Sequence, residues 1–230
     1  RPDGEEIDRL YGAMEPGEFL RVARGLLAGE GTLSDAEKKL AASALDLALR
    51  FSLKGDEAKA RAYIAALREV GATRELGEAR LAFAKYLLLR RLKDYRRALD
   101  ELDAVVREFP GTDAADGAAF QRSYALKGLG DLDGAKRALD AWLGAHADDA
   151  GAHDSYAWFC FKQDVFLEEA ARVAERGLKI DPKSDDLWNT LAQIQARLGR
   201  KEDALHAIGE AIRLKPRDAY YRAQREKFAR

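Results

Sequence analysis

Apolar residues recur at intervals of three and four along most of the chain. The segment DDLWNTLAQIQARLGRKEDALHAIGEAIRLKP, residues 185–216, shows the spacing most clearly. Its apolar positions are Trp188, Leu191, Ala192 and Leu198 in the first half, then Ala204, Leu205, Ile208, Ala211 and Ile212 in the second. This spacing places them on one face of each of two amphipathic helices. Gly199 interrupts the pattern and Pro216 ends it, so the segment predicts two helices joined by a turn.

The same unit recurs upstream at intervals of about 34 residues, a typical length for a helical repeat. Pro182 precedes Pro216 by this interval, and Ala170 precedes Ala204. Extra residues between some units fall in predicted turns, where insertions cost little. The register predicts five repeats, at residues 41–74, 79–112, 116–149, 151–184 and 185–218.

The repeat resembles the tetratricopeptide repeat (TPR) family, whose signature is W-x2-L-G-x2-Y, then A-x3-F, then P. The last unit matches at Trp188, Leu191, Ala192 and Gln195, with Ala in place of Gly and Gln in place of Tyr, and at Ala204, Ile208 and Pro216. The resemblance implies an all-α fold. We therefore expect an α-solenoid, a right-handed superhelix of stacked antiparallel helix pairs.

Both ends of the chain depart from the repeat pattern. Residues 1–40 are rich in glycine and proline, and we expect them to form a degenerate helical pair that caps the array. Residues 219–230 predict a polar capping helix. Terminal units of a repeat array must present a polar outer face, so these departures fit the predicted fold.

Charge and composition exclude several classes of protein. The 39 basic and 40 acidic residues leave a net charge of −1, whereas nucleic-acid binders usually carry a basic excess. No apolar run approaches the roughly 20 residues of a membrane span. The single cysteine allows no intrachain disulfide, which favours a cytoplasmic location and leaves a periplasmic one open.

No sequence motif indicates catalysis. The chain lacks GxGxxG, GxxxxGK[ST] and GxSxG, and its three histidines do not have the spacing of a helical metal site. Carboxylates alternate with Lys and Arg, as is typical of solvated, ion-paired helix faces. We therefore predict that the protein is not an enzyme and uses no metal or cofactor.

The resemblance implies that the first helix of each repeat lines a concave groove. Apolar or aromatic candidates for its surface lie in the earlier repeats and polar ones in the last, with a row of basic residues alongside. The candidates are Phe83, Leu87, Arg90, Phe120, Tyr124, Lys127, Phe159, Lys162, Asn189, Gln193 and Arg197. The alternative is that the aromatic side chains pack on neighbouring helices and the basic ones are merely solvated.

Such a groove suits a peptide or protein segment with apolar anchors and acidic groups. We therefore predict a protein-interaction scaffold. Two alternatives stay open. The chain starts at Arg1 and not at Met, and its C-terminal repeats resemble segments of bacterial multidomain, thioredoxin-like proteins, so it could be an accessory part of a larger enzyme. It could also be a self-associating assembly module.

The aromatic segment SYAWFCFKQD, residues 155–164, divides by angle around its predicted helix. We expect Trp158 and Phe161 to pack against the paired helix. Phe159 and Lys162 are expected to face the groove. Cys160 is expected at the seam with the preceding repeat, as a buried and unreactive thiol.

Overall fold

Helices make up almost all of the chain that the computed structural model describes, which is residues 57–69, 73–88 and 93–229. They are α1 Glu57–Glu69, α2 Thr73–Leu87, α3 Tyr95–Glu108, α4 Asp113–Gly128, α5 Leu132–Ala145, α6 Ala150–Gln163, α7 Leu167–Ile180, α8 Asp185–Arg197, α9 Lys201–Leu214 and α10 Ala219–Ala229. These ranges contain no strand. The prediction of an all-α solenoid of helix pairs is confirmed. The predicted cap at residues 1–40, most of the first predicted repeat and Arg90 lie outside the described residues.

Local signals in the sequence set the helix ends. The hydroxyls of Thr112 and Ser184 accept hydrogen bonds from Ala115 N and Leu187 N, each at 3.2 Å, and so cap α4 and α8. Gly199 follows the end of α8 with φ of 76°, a left-handed conformation that glycine adopts without strain. The predicted break between the two halves of the last repeat is therefore a real turn.

By its internal contacts the chain divides into two compact units, at residues 1–138 and 139–230. In the first unit, α2 packs against α1, α3 and α4. The largest buried side chains there are Leu67, Phe83, Leu87, Leu102 and Val105. Arg80 is also buried, and its guanidinium lies 2.9 Å from Glu101 Oε2 and 2.6 Å from Glu108 Oε2, which ties α2 to α3.

In the second unit, α6 packs against α7 and α8, α7 against α8, α8 against α9, and α9 against α10. Small residues allow these helices to approach closely, since alanines occupy many fully buried positions. They are Ala157, Ala170, Ala174, Ala192, Ala204 and Ala211. Larger side chains fill the remaining space: Tyr156, Phe159, Leu187, Ile194 and Ile208. The phenol of Tyr156 donates to Asp140 Oδ1 at 2.9 Å, so its buried hydroxyl has a partner.

The aromatic segment in α6 divides differently from the expectation. Cys160 is fully buried, as predicted. Phe159 is also 0% exposed, while Trp158 and Phe161 are only half-buried and lie 5.4 Å apart between ring centroids. The position of Trp158 corresponds to Ala192 in the next repeat, which is completely enclosed. Equivalent positions in the two repeats therefore differ: one encloses a methyl group and the other leaves an indole partly exposed.

Candidate functional site

The first unit contains two groups of predicted groove residues that have different environments. Phe83 and Leu87 are each 1% exposed and belong to the core. Both side chains therefore contribute to packing, and their assignment to a groove stays a prediction. Phe120, Tyr124 and Lys127 are half-buried along α4, and the first two rings meet edge to face at 5.9 Å.

In the second unit, the predicted residues are buried or exposed according to their position along the helices. Phe159 is completely enclosed, so its ring contributes to packing, and its assignment to a groove stays a prediction. Asn189 and Gln193 are 8% and 7% exposed, which is unusual for polar side chains. Lys162 and Arg197 are exposed at the ends of α6 and α8.

Three polar side chains, Asn189, Gln193 and Arg197, follow one another every four residues along one face of α8; we call them the α8 stripe. Asn189 Oδ1 is buried and has no hydrogen-bond partner in the described part of the chain. Gln193 Nε2 donates to the phenolic oxygen of Tyr220 in α10 at 3.0 Å. Eight residues of helix separate the two ends of the stripe by about 12 Å.

An open pocket with a volume of about 410 Å³ lies at the Arg197 end of the α8 stripe; we call it the C-terminal pocket. Its lining combines three cations, two phenylalanines, an amide and small residues. The lining residues are Phe161, Gln193, Ala196, Arg197, Gly199, Lys201, Ala204, Lys227 and Phe228. The pocket is therefore both basic and aromatic.

The three cations of the C-terminal pocket differ in their contacts. Arg197 Nη1 lies 2.6 Å from Asp164 Oδ1, and its guanidinium carbon lies 5.3 Å from the ring centroid of Phe161. Lys201 Nζ donates to the carbonyl oxygen of Ala229 at 2.5 Å. Lys201 and Lys227 have no carboxylate partner among the described residues, so their charge faces the pocket without a neutralising partner there.

Helix α10 carries Lys227 and Phe228, and a polar cluster holds it against α8. The phenol of Tyr221 donates to Asp185 Oδ2 at 2.5 Å, and Lys215 Nζ lies 2.7 Å from the same oxygen. Burial by itself would raise the pKa of Asp185, but these two partners outweigh it and hold the pKa below its usual range. The cluster therefore anchors the start of α10 to the start of α8.

Asp154 gives a pH-dependent prediction. Thr190 Oγ1 donates to Asp154 Oδ1 at 2.6 Å, yet burial raises the pKa of Asp154 above its usual range. The folded state thus binds this proton more tightly than the unfolded state, and stability is lost once the carboxyl ionises. We expect Asp154→Asn, which keeps an acceptor for Thr190, to raise the free energy of unfolding at neutral pH. This gain in the free energy of unfolding should be full at pH values above the pKa of Asp154 in the folded state. It should vanish at pH values below the pKa of Asp154 in the unfolded state. Urea denaturation at a series of pH values measures it; a gain that does not change with pH would contradict the assignment.

Of the larger side chains that line the C-terminal pocket, four are absent from the sequence-based candidates: Phe161, Lys201, Lys227 and Phe228. One signal for Lys227 was present. It follows Gln193 by one repeat length, so continuing the register past the last predicted repeat places it at a groove position in α10. Phe161 was assigned to packing against the paired helix and instead lines the pocket.

The described residues show no arrangement for metal binding, since no group of three His, Cys, Asp or Glu side chains is placed to hold an ion. Across the same residues, no helix is long and apolar enough to cross a membrane.

Comparisons with known proteins agree with this fold. A model of the tetratricopeptide repeat family matches residues 167–227. The chain is similar in structure to TTC0263, a thermophilic TPR protein of Thermus thermophilus, with 17% identity, a TM-score of 0.54, and coverage of 93% of this chain and 98% of that one. A tetratricopeptide repeat protein from Parabacteroides merdae is 13% identical, with a TM-score of 0.54 over 93% of this chain and 72% of that one.

A third solved structure, YrrB, is described as a TPR protein with an unusual peptide-binding site. It is 17% identical, with a TM-score of 0.50, and the match covers 91% of each chain. No curated protein matches the chain in sequence. The described helices therefore have the fold of tetratricopeptide repeat proteins, and residues 167–227 also match that family in sequence.

Proposed function

We propose that the protein is a non-catalytic interaction module that binds an extended segment of a partner protein along the α8 stripe. The tetratricopeptide fold supports a protein-interaction scaffold in general. The specific proposal is that α6, α8 and α10 of the second unit hold the segment. One solved structure of this fold, YrrB, is described as having a peptide-binding site, which is consistent with the proposal.

The observation that carries the proposal is the side chain of Asn189. A buried polar atom without a hydrogen-bond partner costs roughly 1–3 kcal/mol. Asn189 Oδ1 is such an atom. An extended peptide supplies suitable donors, because alternate main-chain N–H groups point to the same side. Asn189 is 8% exposed, and rotation of its amide group, whose last torsion is soft, would bring Oδ1 to the opening, where it could accept one of them whatever the peptide's side chains are.

The other two residues of the α8 stripe give the segment a direction. Gln193 is held by Tyr220, so its position is fixed before a partner arrives. Arg197 supplies a positive charge at the opposite end from Asn189. Phe120, Tyr124 and Lys127 form a separate half-buried surface in the first unit, which we propose as a contact for other parts of the partner.

We expect Asn189→Ala to weaken peptide binding roughly 3- to 10-fold, the effect of one lost hydrogen bond. The same change should not lower the free energy of unfolding, because it removes an unsatisfied acceptor and alanine favours helix. The probes are fluorescently labelled peptides selected from a phage-displayed library of random linear sequences against the wild-type chain. Fluorescence anisotropy gives affinity, and urea denaturation gives stability.

Lys179→Ala is the matched control, since Lys179 is exposed on α7 and away from the α8 stripe. It should leave the affinity unchanged. Selection of no peptide at all, or peptides that bind wild type and Asn189→Ala equally, would contradict the proposal. A loss of stability in Asn189→Ala would show that the asparagine serves the fold instead.

A further inference from the structure

We infer that the C-terminal pocket is a subsite for an acidic side chain next to an aromatic one. In the free protein, Asp164 forms an ion pair with Arg197 of this pocket. This inference rests on the proposed function, because the pocket lies at one end of the α8 stripe. It adds the chemistry of the partner segment, which the stripe alone leaves undefined.

The charge of the pocket points to an acidic group. Arg197, Lys201 and Lys227 come from α8, α9 and α10 and line the same space, and no carboxylate is among the lining residues. A partner carboxylate entering there would meet several cations at once. Charge-assisted hydrogen bonds of this kind are stronger than neutral ones.

The remaining lining points to an aromatic neighbour. Phe161 and Phe228 are half-buried rings at the pocket wall. Ala196, Gly199 and Ala204 are small and leave the space between the rings open. A volume of about 410 Å³ is within the range of sites that take small ligands, and it accommodates an aromatic side chain beside a carboxylate.

Asp164 is the charge that an incoming carboxylate must replace. Its ion pair with Arg197 is open to water, with the two side chains 63% and 48% exposed. Exposed ion pairs contribute little to stability, so a group that also reaches Lys227 can displace Asp164 at small cost. Asp164 therefore lowers the affinity for acidic segments without blocking the site.

The distance along the α8 stripe sets the position of the acidic residue. The stripe is about 12 Å long, and an extended peptide advances about 3.3 Å per residue. The acidic residue should therefore lie about four positions from the main-chain N–H that Asn189 accepts. Segments with this spacing would contact Asn189 and the C-terminal pocket at the same time.

The test uses three short blocked peptides that differ at two positions: Ac-Gly-Ser-Gly-Ser-Glu-Phe-Gly-NH2, its Gln-Phe version and its Glu-Ala version. Titration of the nitrogen-15-labelled chain, followed by NMR, gives both the affinity and the location of binding. We expect the Glu-Phe peptide to shift the amide signals of Phe161, Arg197 and Lys227. The other two peptides should bind roughly 3- to 10-fold more weakly.

Variants at the pocket make the assignment specific. Arg197→Gln and Lys227→Gln should each weaken binding of the Glu-Phe peptide, while Lys179→Gln on α7 should not. Asp164→Asn should strengthen binding roughly 2- to 5-fold, because it releases Arg197. Asparagine tolerates the left-handed conformation of Asp164, so this variant keeps the end of α6.

The outcomes separate this inference from the proposed function. Equal binding of the Glu-Phe and Gln-Phe peptides, no binding of the Glu-Phe peptide, or no gain in Asp164→Asn would overturn the inference. The proposed function survives those results if library-selected peptides still depend on Asn189. Thermal unfolding followed by circular dichroism confirms that each variant is folded.

Discussion

Phe159→Ala is expected to lower the free energy of unfolding by about 3–5 kcal/mol, the usual cost of removing a buried phenylalanine ring. Phe159 is completely enclosed, so the substitution removes packing contacts and leaves a cavity. Phe161→Ala, two residues further along α6, should lower it by less than about 1.5 kcal/mol, because that ring is half-exposed. Urea denaturation of the wild type and of the two variants measures the difference in the free energy of unfolding.

The same pair separates core from binding surface. Phe161→Ala should weaken binding of the Glu-Phe peptide, since its ring lines the C-terminal pocket. If Phe159→Ala instead leaves stability near that of wild type and selectively weakens peptide binding, Phe159 faces a groove as the sequence pattern predicts, and the packing described here is wrong.

Gly177→Ala is expected to lower the free energy of unfolding by about 1–2 kcal/mol, although alanine is the better helix former. A Cβ atom at residue 177 would lie 2.7 Å from His153 Cβ and 3.0 Å from Leu187 Cδ1. Overpacking of this kind costs about 1–3 kcal/mol, and helix propensity returns up to about 1 kcal/mol. Gly177 thus allows α7 to approach α6 and α8 closely.

Gly209→Ala is the matched control, in the interior of α9. A Cβ atom there would meet open space, so only the helix propensity changes. We expect the free energy of unfolding to rise by about 0.5–1 kcal/mol. The two changes therefore have opposite signs, and urea denaturation of both variants checks them. Equal effects of the two substitutions would contradict the close packing of α7.

Much of the fold was predictable because its signals are local. The apolar spacing around Trp188 and Ala204 gave two helices, and Gly199 gave the turn between them. These features depend on residues three or four positions apart or on the conformational freedom of glycine. The predicted boundaries of the five repeats stay a prediction.

The environments of individual side chains were harder to predict. Phe159 and Phe161 both lie on the first helix of a repeat, and the period of the helix alone does not show how far a neighbouring helix covers each one. Phe159 is completely enclosed, while Phe161, two residues closer to the end of α6, is half-buried and faces Arg197 of α8. The helical period therefore predicts where each residue lies around its own helix, but not how far other helices cover its side chain.

The C-terminal pocket was missed because it forms between helices that the repeat pattern treats separately. Lys201 belongs to the second helix of the last repeat, and Lys227 and Phe228 belong to the predicted capping helix. The turn at Gly199 places Lys201 near Arg197, and the packing of α10 against α9 places Lys227 and Phe228 at the same pocket. A pattern read along one helix does not contain that contact.

The central claim, that a partner segment lies along the α8 stripe, is tested most directly by intermolecular nuclear Overhauser effects. The measurement uses the isotopically labelled chain bound to the tightest unlabelled peptide from the library. We predict contacts from the peptide to the side-chain amides of Asn189 and Gln193 and to the side chain of Arg197. Contacts confined to the outer faces of α7 and α9, with none to the α8 stripe, would contradict the claim.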